Sequence, residues 1–342
     1  MENQNLLVTG GSGFIGSNFI HYMLKNSSAS ITNLDKLTYA GNNENHKDIN
    51  TERYEFVHGD ICNQELVENL LFKNKINKIV NFAAESHVDR SIENPDEFLT
   101  TNILGTYNLL QCSQKYYEHC KDLIFLHVST DEVYGSLQAD DDSFKETNQF
   151  LPNSPYAASK ASSDMLVRAW HHTYKLPTLT TNCSNNYGPF QFPEKLIPLV
   201  INNAISGEKI PIYGDGSNIR DWLYVEDHCS AINKVLEKGK IGEIYNIGGN
   251  NEMTNLEIIN KICEILDEVH PIAKKKIPIV NYSDLITFVT DRPGHDFRYS
   301  IDSSKIMKEL NWKPATGFDK GIRKTIDWYL NNQNWINSIR NI

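Results

Sequence analysis

Through its first half the chain alternates short apolar runs with longer amphipathic stretches. The short runs, at residues 5–9, 30–34, 54–58, 78–82 and 123–129, read as strands. Between them, residues 14–25, 63–73 and 96–117 read as helices, and Pro95 suits the first turn of the third. This order predicts an α/β fold, a Rossmann-type doubly wound parallel sheet. Residues 140–152 are polar and acidic and read as a loop. Ser154 then caps a helix that Pro155 opens and that runs to about Tyr174, followed by a strand at 177–182. Beyond Asn185, glycines and prolines crowd the chain, with helices predicted at 195–206, 225–238 and 255–269. The pattern divides into residues 1–184, the sheet domain, and residues 185–342, a smaller, interleaved C-terminal substrate-binding lobe. Some late core elements return to the first domain.

Composition narrows the classes open to this chain. Its 342 residues can bury a large core, and 40% hydrophobic with 22% charged residues is ordinary for a globular protein. A formal net charge of −10 leaves no basic excess to neutralise a phosphate backbone, so no nucleic acid is expected as a partner. No apolar run reaches membrane-spanning length and no leader-like segment opens the chain, so no membrane association is expected. Six scattered cysteines without a CxxC pair suit reduced thiols and a cytoplasmic location. His171 and His172 lack a partner at metal-ligand spacing, and no metal is expected.

The chemistry begins at Gly10, Gly11, Gly13 and Gly16, which follow the first strand and open the first helix through Phe14 and Ile15. Glycines there permit a tight turn and bring a pyrophosphate against a helix N-terminus. Asp35 ends the next strand, 19 residues beyond Gly16, where a carboxylate can accept from a ribose diol. Its charge favours NAD over NADP, with the adjacent Lys36 as the dissenting residue. Asp60 and Ile61 end the third strand within reach of adenine, and Ala83 and Ala84 after the fourth leave room for close cofactor approach. Tyr156 and Lys160, four apart, share one helix face. An ammonium group and a nicotinamide ring favour phenolate, so Tyr156 can take a hydroxyl proton during oxidation. Ser129 or Thr130 is the candidate partner of the reacting hydroxyl. Asp131 and Glu132 add an acid and a base, which points to a second proton transfer such as loss of water.

Residues 9–16 with Tyr156 and Lys160 resemble the extended short-chain dehydrogenase/reductase family. Within it, residues 82–91, 129–135, 183–189, 220–223 and 291–296 are similar to the dTDP-glucose 4,6-dehydratases, and the likeness runs from Leu7 to about Trp328. The resemblance implies a tightly held NAD regenerated in each turnover. It implies that Tyr156 serves oxidation at sugar C4, Glu132 removes the C5 proton and Asp131 protonates the departing C6 hydroxyl, with Thr130 and Lys160 completing the catalytic set. For a nucleotide-sugar substrate it implies Lys195, Arg220 and Arg292 around the diphosphate. It also implies Ser86, Thr130 and Asn185 on sugar or phosphate oxygens, Leu196, Pro211 and Tyr213 under the base, and Asn255 and His295 at the far end. Phe297 stands where relatives often carry a charge. Two helices, 96–117 and 155–174, are implied as a homodimer interface. A UDP- or CDP-sugar dehydratase, a 4-epimerase and a non-catalytic dinucleotide sensor are the alternatives, and the Asp131–Glu132 pair argues against epimerisation alone.

Overall fold

The computed structural model describes residues 4–271, 279–291 and 294–340. Seven strands form one parallel sheet: β1 (Asn5–Thr9), β2 (Ser30–Asp35), β3 (Tyr54–His58), β4 (Lys78–Asn81), β5 (Ile124–Thr130), β6 (Thr178–Cys183) and β10 (Ile244–Ile247), in the order β10-β6-β5-β4-β1-β2-β3. The order reverses between β1 and β4, as in doubly wound dinucleotide-binding sheets. Relative to the expected ranges, β2 gains Asp35, β4 stops one residue short of Phe82, and β5 and β6 are displaced by one. Those shifts extend Thr130 and Cys183 along the sheet, where they pair across β5 and β6.

Helices α1 (Phe14–Asn26) and α8 (Val225–Lys238) cover one face of this sheet, joining Phe19, Ile20, Met23, Ile232 and Val235 to a core with Leu6 and Val8 of β1. Helices α2 (Gln64–Lys73), α5 (Thr106–His119) and α6 (Pro155–Tyr174) cover the other, burying Leu70, Leu109, Val167 and Trp170 with Leu7 and Phe125. Alternate residues of β1 thus serve opposite cores, the period-two geometry of a strand buried on both faces. Asn63 stands outside α2 because its side chain caps the helix, accepting from Leu66 N at 3.1 Å.

The expected 96–117 helix is interrupted. After α3 (Val88–Glu93), which the pattern did not announce, Pro95 is the cap and not the first turn of α4 (Asp96–Phe98). A π-helical segment, Leu99–Gly105, then leads into α5. The wider turn carries Asn102 inward: its Oδ1 accepts from Glu85 N at 2.9 Å, and its Nδ2 donates to Glu85 O and to Ser159 Oγ.

The second lobe has its own core of Val200, Ile201, Trp222, Ile258, Ile262 and Ile322. It contains α7 (Leu196–Ser206), α9 (Asn255–Val269), α11 (Phe318–Asn331) and two small sheets. One sheet joins β7 (Asn185–Tyr187), β9 (Ile219–Tyr224) and β11 (Glu252–Thr254); the other pairs β8 (Ile210–Tyr213) with β12 (Ile286–Val289). Helix α10 (Ser304–Leu310) returns to the first domain's core through Ile306. The C-terminal helix α12 (Gln333–Arg340) reaches the glycine turn: Trp335 Nε1 donates to Asn45 Oδ1 at 2.7 Å, and Asn45 Nδ2 donates to Ser12 O and Ser17 Oγ. Among the described residues no helix is long and apolar enough to cross a membrane.

Candidate active site

A cavity of about 310 Å³ opens at the carboxyl ends of β1, β4 and β5, at the reversal of strand order. Its floor is the glycine turn. Gly10 has φ +67°, and a Cβ there would stand 2.6 Å from the backbone nitrogen of Ala83. A Cβ on Gly16 would lie 2.3 Å from Gly10 O, so strand and helix meet only because both side chains are missing. Gly13 caps α1 without a side-chain bond, and Phe14, Ile15 and Gly16 line the cavity. First-turn N–H groups lack intrahelical partners and with the helix dipole form an anion cradle. Gly11 does different work: a Cβ there would collide with the Asn33 side chain beneath the turn.

Asp35 Oδ2 accepts from Ser12 N and Oδ1 from Leu37 N, each at 2.8 Å. Those bonds hold the carboxylate at the cavity wall and leave lone pairs for a ribose diol. Burial raises its pKa, against the bonds from Leu37 and Ser12. Lys36 pairs with Asp60 at 2.9 Å, which satisfies its charge locally. Ile61, Ala83 and Ala84 complete this wall. Glycine cradle, carboxylate and small-residue wall together fit a dinucleotide without a 2′-phosphate.

Facing this wall are Thr130, Asp131, Glu132, Tyr156 and Lys160, which line the same cavity. Thr130 ends β5, and its Oγ1 accepts from Glu132 N to cap a single 3₁₀ turn, Asp131–Tyr134. Ser154 caps α6 by accepting from Ala157 N at 3.1 Å, which sets Tyr156 and Lys160 on its cavity-facing side. Asp131 is 2% exposed, and its Oδ2 has no hydrogen-bond partner among the described residues. Burial, then the charges of Glu132 and Asp221, push its pKa well above the carboxylate range, against Arg220 and Thr130. The shift favours the protonated, proton-donating form of this carboxyl. Tyr156 is likewise pushed up, by burial first and then Glu132, with the Thr130 hydroxyl opposing. Lys160 Nζ donates to Val128 O at 2.8 Å, toward β5. Both hydroxyls considered for the reacting group line the cavity: Ser129 Oγ donates to Asp164 Oδ2 at 2.9 Å, and Thr130 Oγ1 donates to Asp131 Oδ1 at 3.4 Å while accepting from Glu132 N.

The predicted nucleotide-sugar residues divide. Ser86, Asn185 and Lys195 line the cavity, and Lys195 Nζ donates to Ser86 O at 3.1 Å. Leu196 opens α7, Pro211 and Tyr213 belong to β8, and Asn255 opens α9; these residues stand in the second lobe, outside the cavity lining. His295 Nδ1 pairs with Asp291 Oδ1 at 2.7 Å and its ring meets Tyr213 edge-on. Arg220 is also outside the lining. Its Nη2 donates to Asp296 O, its guanidinium stacks 4.3 Å over Tyr299, and its charge acts on Asp131. Phe297 is held by its backbone, donating to Ser136 Oγ. Arg292 lies outside the described residues.

Residue patterns alone passed over Glu85, which is 8% exposed, lines the cavity and has its carboxyl pKa raised by burial. The available signal was an acid directly after the alanine pair at a strand end. Tyr39, Phe192 and Glu194 of the cavity mouth were also missed. Arg90 ties them together, its guanidinium 3.8 Å over the Tyr39 ring and its Nη2 3.1 Å from Glu194 Oε2.

Comparisons with known proteins agree with this geometry. Residues 7–325 match the model of a family described as GDP-mannose 4,6 dehydratase. A dTDP-glucose 4,6-dehydratase of Shigella flexneri is 52% identical, covering 98% of this chain and 95% of the relative. Among solved structures, a dTDP-glucose 4,6-dehydratase of Bacillus anthracis in complex with NAD has TM-score 0.87 at 48% identity, covering 98% of this chain and 99% of that one. One from Streptomyces venezuelae, also with NAD bound, has TM-score 0.89 at 44% identity, covering 98% and 100%.

Proposed function

This chain belongs to the GDP-mannose 4,6 dehydratase family, and on that premise we propose how its residues carry out the NAD-dependent 4,6-dehydration of dTDP-glucose. The observation that carries the reading is one cavity in which a buried Asp131 with a raised pKa and its neighbour Glu132 face Tyr156, Lys160 and a glycine cradle. NAD held there would supply reversible hydride storage, so that oxidation at sugar C4 and reduction at C6 leave no net oxidation. Gly10, Gly13, Phe14, Ile15 and Gly16 hold its pyrophosphate, Asp35 its ribose diol, and Asp60, Ile61, Ala83 and Ala84 its adenine end and wall.

Tyr156 takes the proton of the C4 hydroxyl, with Thr130 orienting that hydroxyl and Lys160 favouring the phenolate. A C4 ketone acidifies the C5 hydrogen, which Glu132 removes. Asp131 then protonates the C6 hydroxyl, which leaves as water. The two acids need opposite protonation states, and the burial of Asp131 supports that split. Residues 1–184 supply the cofactor and catalytic groups, and residues 185–342 supply most of the nucleotide-sugar contacts. Lys195, Arg220 and Arg292 take the diphosphate; Ser86 and Asn185 take sugar or phosphate oxygens; Leu196, Pro211, Tyr213, Asn255 and His295 take the nucleoside.

The test is turnover of dTDP-, UDP- and CDP-glucose in deuterated water. The expected result is a 4-keto-6-deoxy product from dTDP-glucose with solvent deuterium at C5. Unchanged sugar, or a C4 epimer without C5 exchange, would overturn the reading. The chain acts as a homodimer through residues 96–117 and α6, a proposal supported by exposed Leu99 and Leu104 of the π-helical segment, Tyr107 of α5, and Met165 and Tyr174 of α6. Sedimentation at monomer mass would reject it. Six free cysteines suit a reducing cytoplasm.

A further inference from the structure

Behind the cavity lies a buried polar cluster that the proposed reaction steps do not use. Thr9 Oγ1 donates to Asn81 Oδ1 at 2.6 Å. Asn81 Nδ2 lies 3.1 Å from His127 Nδ1. His127 Nε2 lies 3.4 Å from Asp164 Oδ1 and 3.4 Å from Lys160 Nζ. Asp164 Oδ1 makes no hydrogen bond among the described residues, so the ammonium and the carboxylate share His127 Nε2 as a common neighbour. Asp164 Oδ2 accepts from Ser129 Oγ at 2.9 Å and from Asn182 Nδ2 at 3.3 Å. Every member is enclosed: His127 and Asn182 are 0% exposed and Asp164 is 3% exposed. Sheet register assembles them, pairing Thr9 with Asn81, Asn81 with His127, and Ser129 with Asn182.

We propose that Asp164, held by Ser129 and Asn182 beside His127, is the fixed counter-charge of Lys160, and that Asp164 and His127 are positioning residues for the oxidation step. The inference rests on the assignment of Tyr156 and Lys160 to that step. Neither Asp164 nor His127 lines the cavity, so their effect passes through Lys160. A lysine on a closed floor loses the water that would stabilise its charge, and an anion one shell deeper restores it. The groups acting on Lys160 are His127 and Val128 of β5, Asp164 of α6 and Cys183 of β6. Of these, Asp164 is the acid that most strongly opposes the effect of burial on the ammonium. Uncharged donors around Asp164 leave its charge available to Lys160, which no second buried cation in the cluster competes for.

The experiment follows reduced-nicotinamide absorbance in single turnovers of NAD-loaded enzyme with dTDP-glucose across a pH series. This signal isolates oxidation from the later elimination. Without the counter-charge, Lys160 gives up its proton at lower pH. D164N should therefore move the alkaline fall of the oxidation rate down by about one pH unit or more, with KM for dTDP-glucose within roughly twofold of the parent. H127L should shift the same limb in the same direction. H127Q keeps a polar group beside both Lys160 and Asp164 and should retain most of the parent profile. A parent-like pH profile in D164N would overturn the inference. If D164N does not fold, S129A removes one donor from the same carboxylate and should shift the limb by a smaller amount. Parent-like limbs in both S129A and H127L would overturn the inference equally. Failure of the underlying reading looks different: the unsubstituted enzyme itself would give no transient absorbance.

Discussion

Burial and the charges of Glu132 and Asp221 raise the pKa of Asp131, and that shift has a cost in stability as well as a use. The unfolded chain releases the Asp131 proton in the ordinary carboxylate range. Between the two pKa values the folded protein holds one more proton than the unfolded chain, so stability falls as pH rises through that window. D131N keeps the shape and removes the titration. It should melt above the parent at about pH 7, the gap should narrow at about pH 4, and kcat should fall by roughly 10²-fold or more. Thermal melts at both pH values, beside a product assay, check all three. E132Q should leave oxidation intact and stop elimination, so reduced-nicotinamide absorbance should rise on adding dTDP-glucose and persist. Rapid return to the baseline would reassign the C5 base. At this scale the sequence was readable wherever chemistry is written in adjacent residues: the glycines, Asp35, Tyr156 with Lys160, and the acid pair. Ser129 and Thr130 could not be told apart from spacing, because Asp164, which engages Ser129, lies on a helix 35 positions away.

The π-helical turn is where one element is shaped for the site. A regular helix through 96–117 satisfies the amphipathic pattern equally well, so nothing local marks the wider turn at Leu99–Gly105. Its reason is three-dimensional. Asn102 must reach the Glu85 backbone and Ser159 together, and Gly105 must pass Ile61, whose Cδ1 would be 2.5 Å from a Cβ there. N102A would strand the Glu85 N–H in a buried site, at a cost of about 1–3 kcal/mol. Denaturant melts should show that loss, and KM for dTDP-glucose should rise because Ser86, the next residue, loses its support. A variant as stable as the parent would mean that water or a neighbouring group replaces the amide. One cap, by contrast, was visible in advance: Ser154 is where serine followed by proline put it, whereas Asn63 and Pro95 were read as part of their helices.

Across the whole molecule, parallel pairing was predictable from alternating strands and helices, but the seventh strand was not. Ile244–Ile247 is four residues long and joins β6 only because α8 returns the chain to the sheet. Long-range closure is similarly absent from any local pattern at α12. Trp335 and Asn45 are separated by 290 positions, and their 2.7 Å bond braces the glycine turn through Ser12 and Ser17. W335F keeps the packing and removes one donor, so NAD should dissociate roughly fivefold faster, consistent with the loss of about 1 kcal/mol of hydrogen bonding. Stopped-flow displacement of bound NAD checks this, and an unchanged rate would show that the brace is not felt by the cofactor. The same bond has a temporal meaning. A ribosome releases the glycine turn among its first products and α12 among its last, so the cofactor cradle is made early and tightened late. A chain that stops short of Trp335 carries every residue of the turn without its brace, and firm retention of NAD becomes a mark of synthesis carried through to that helix.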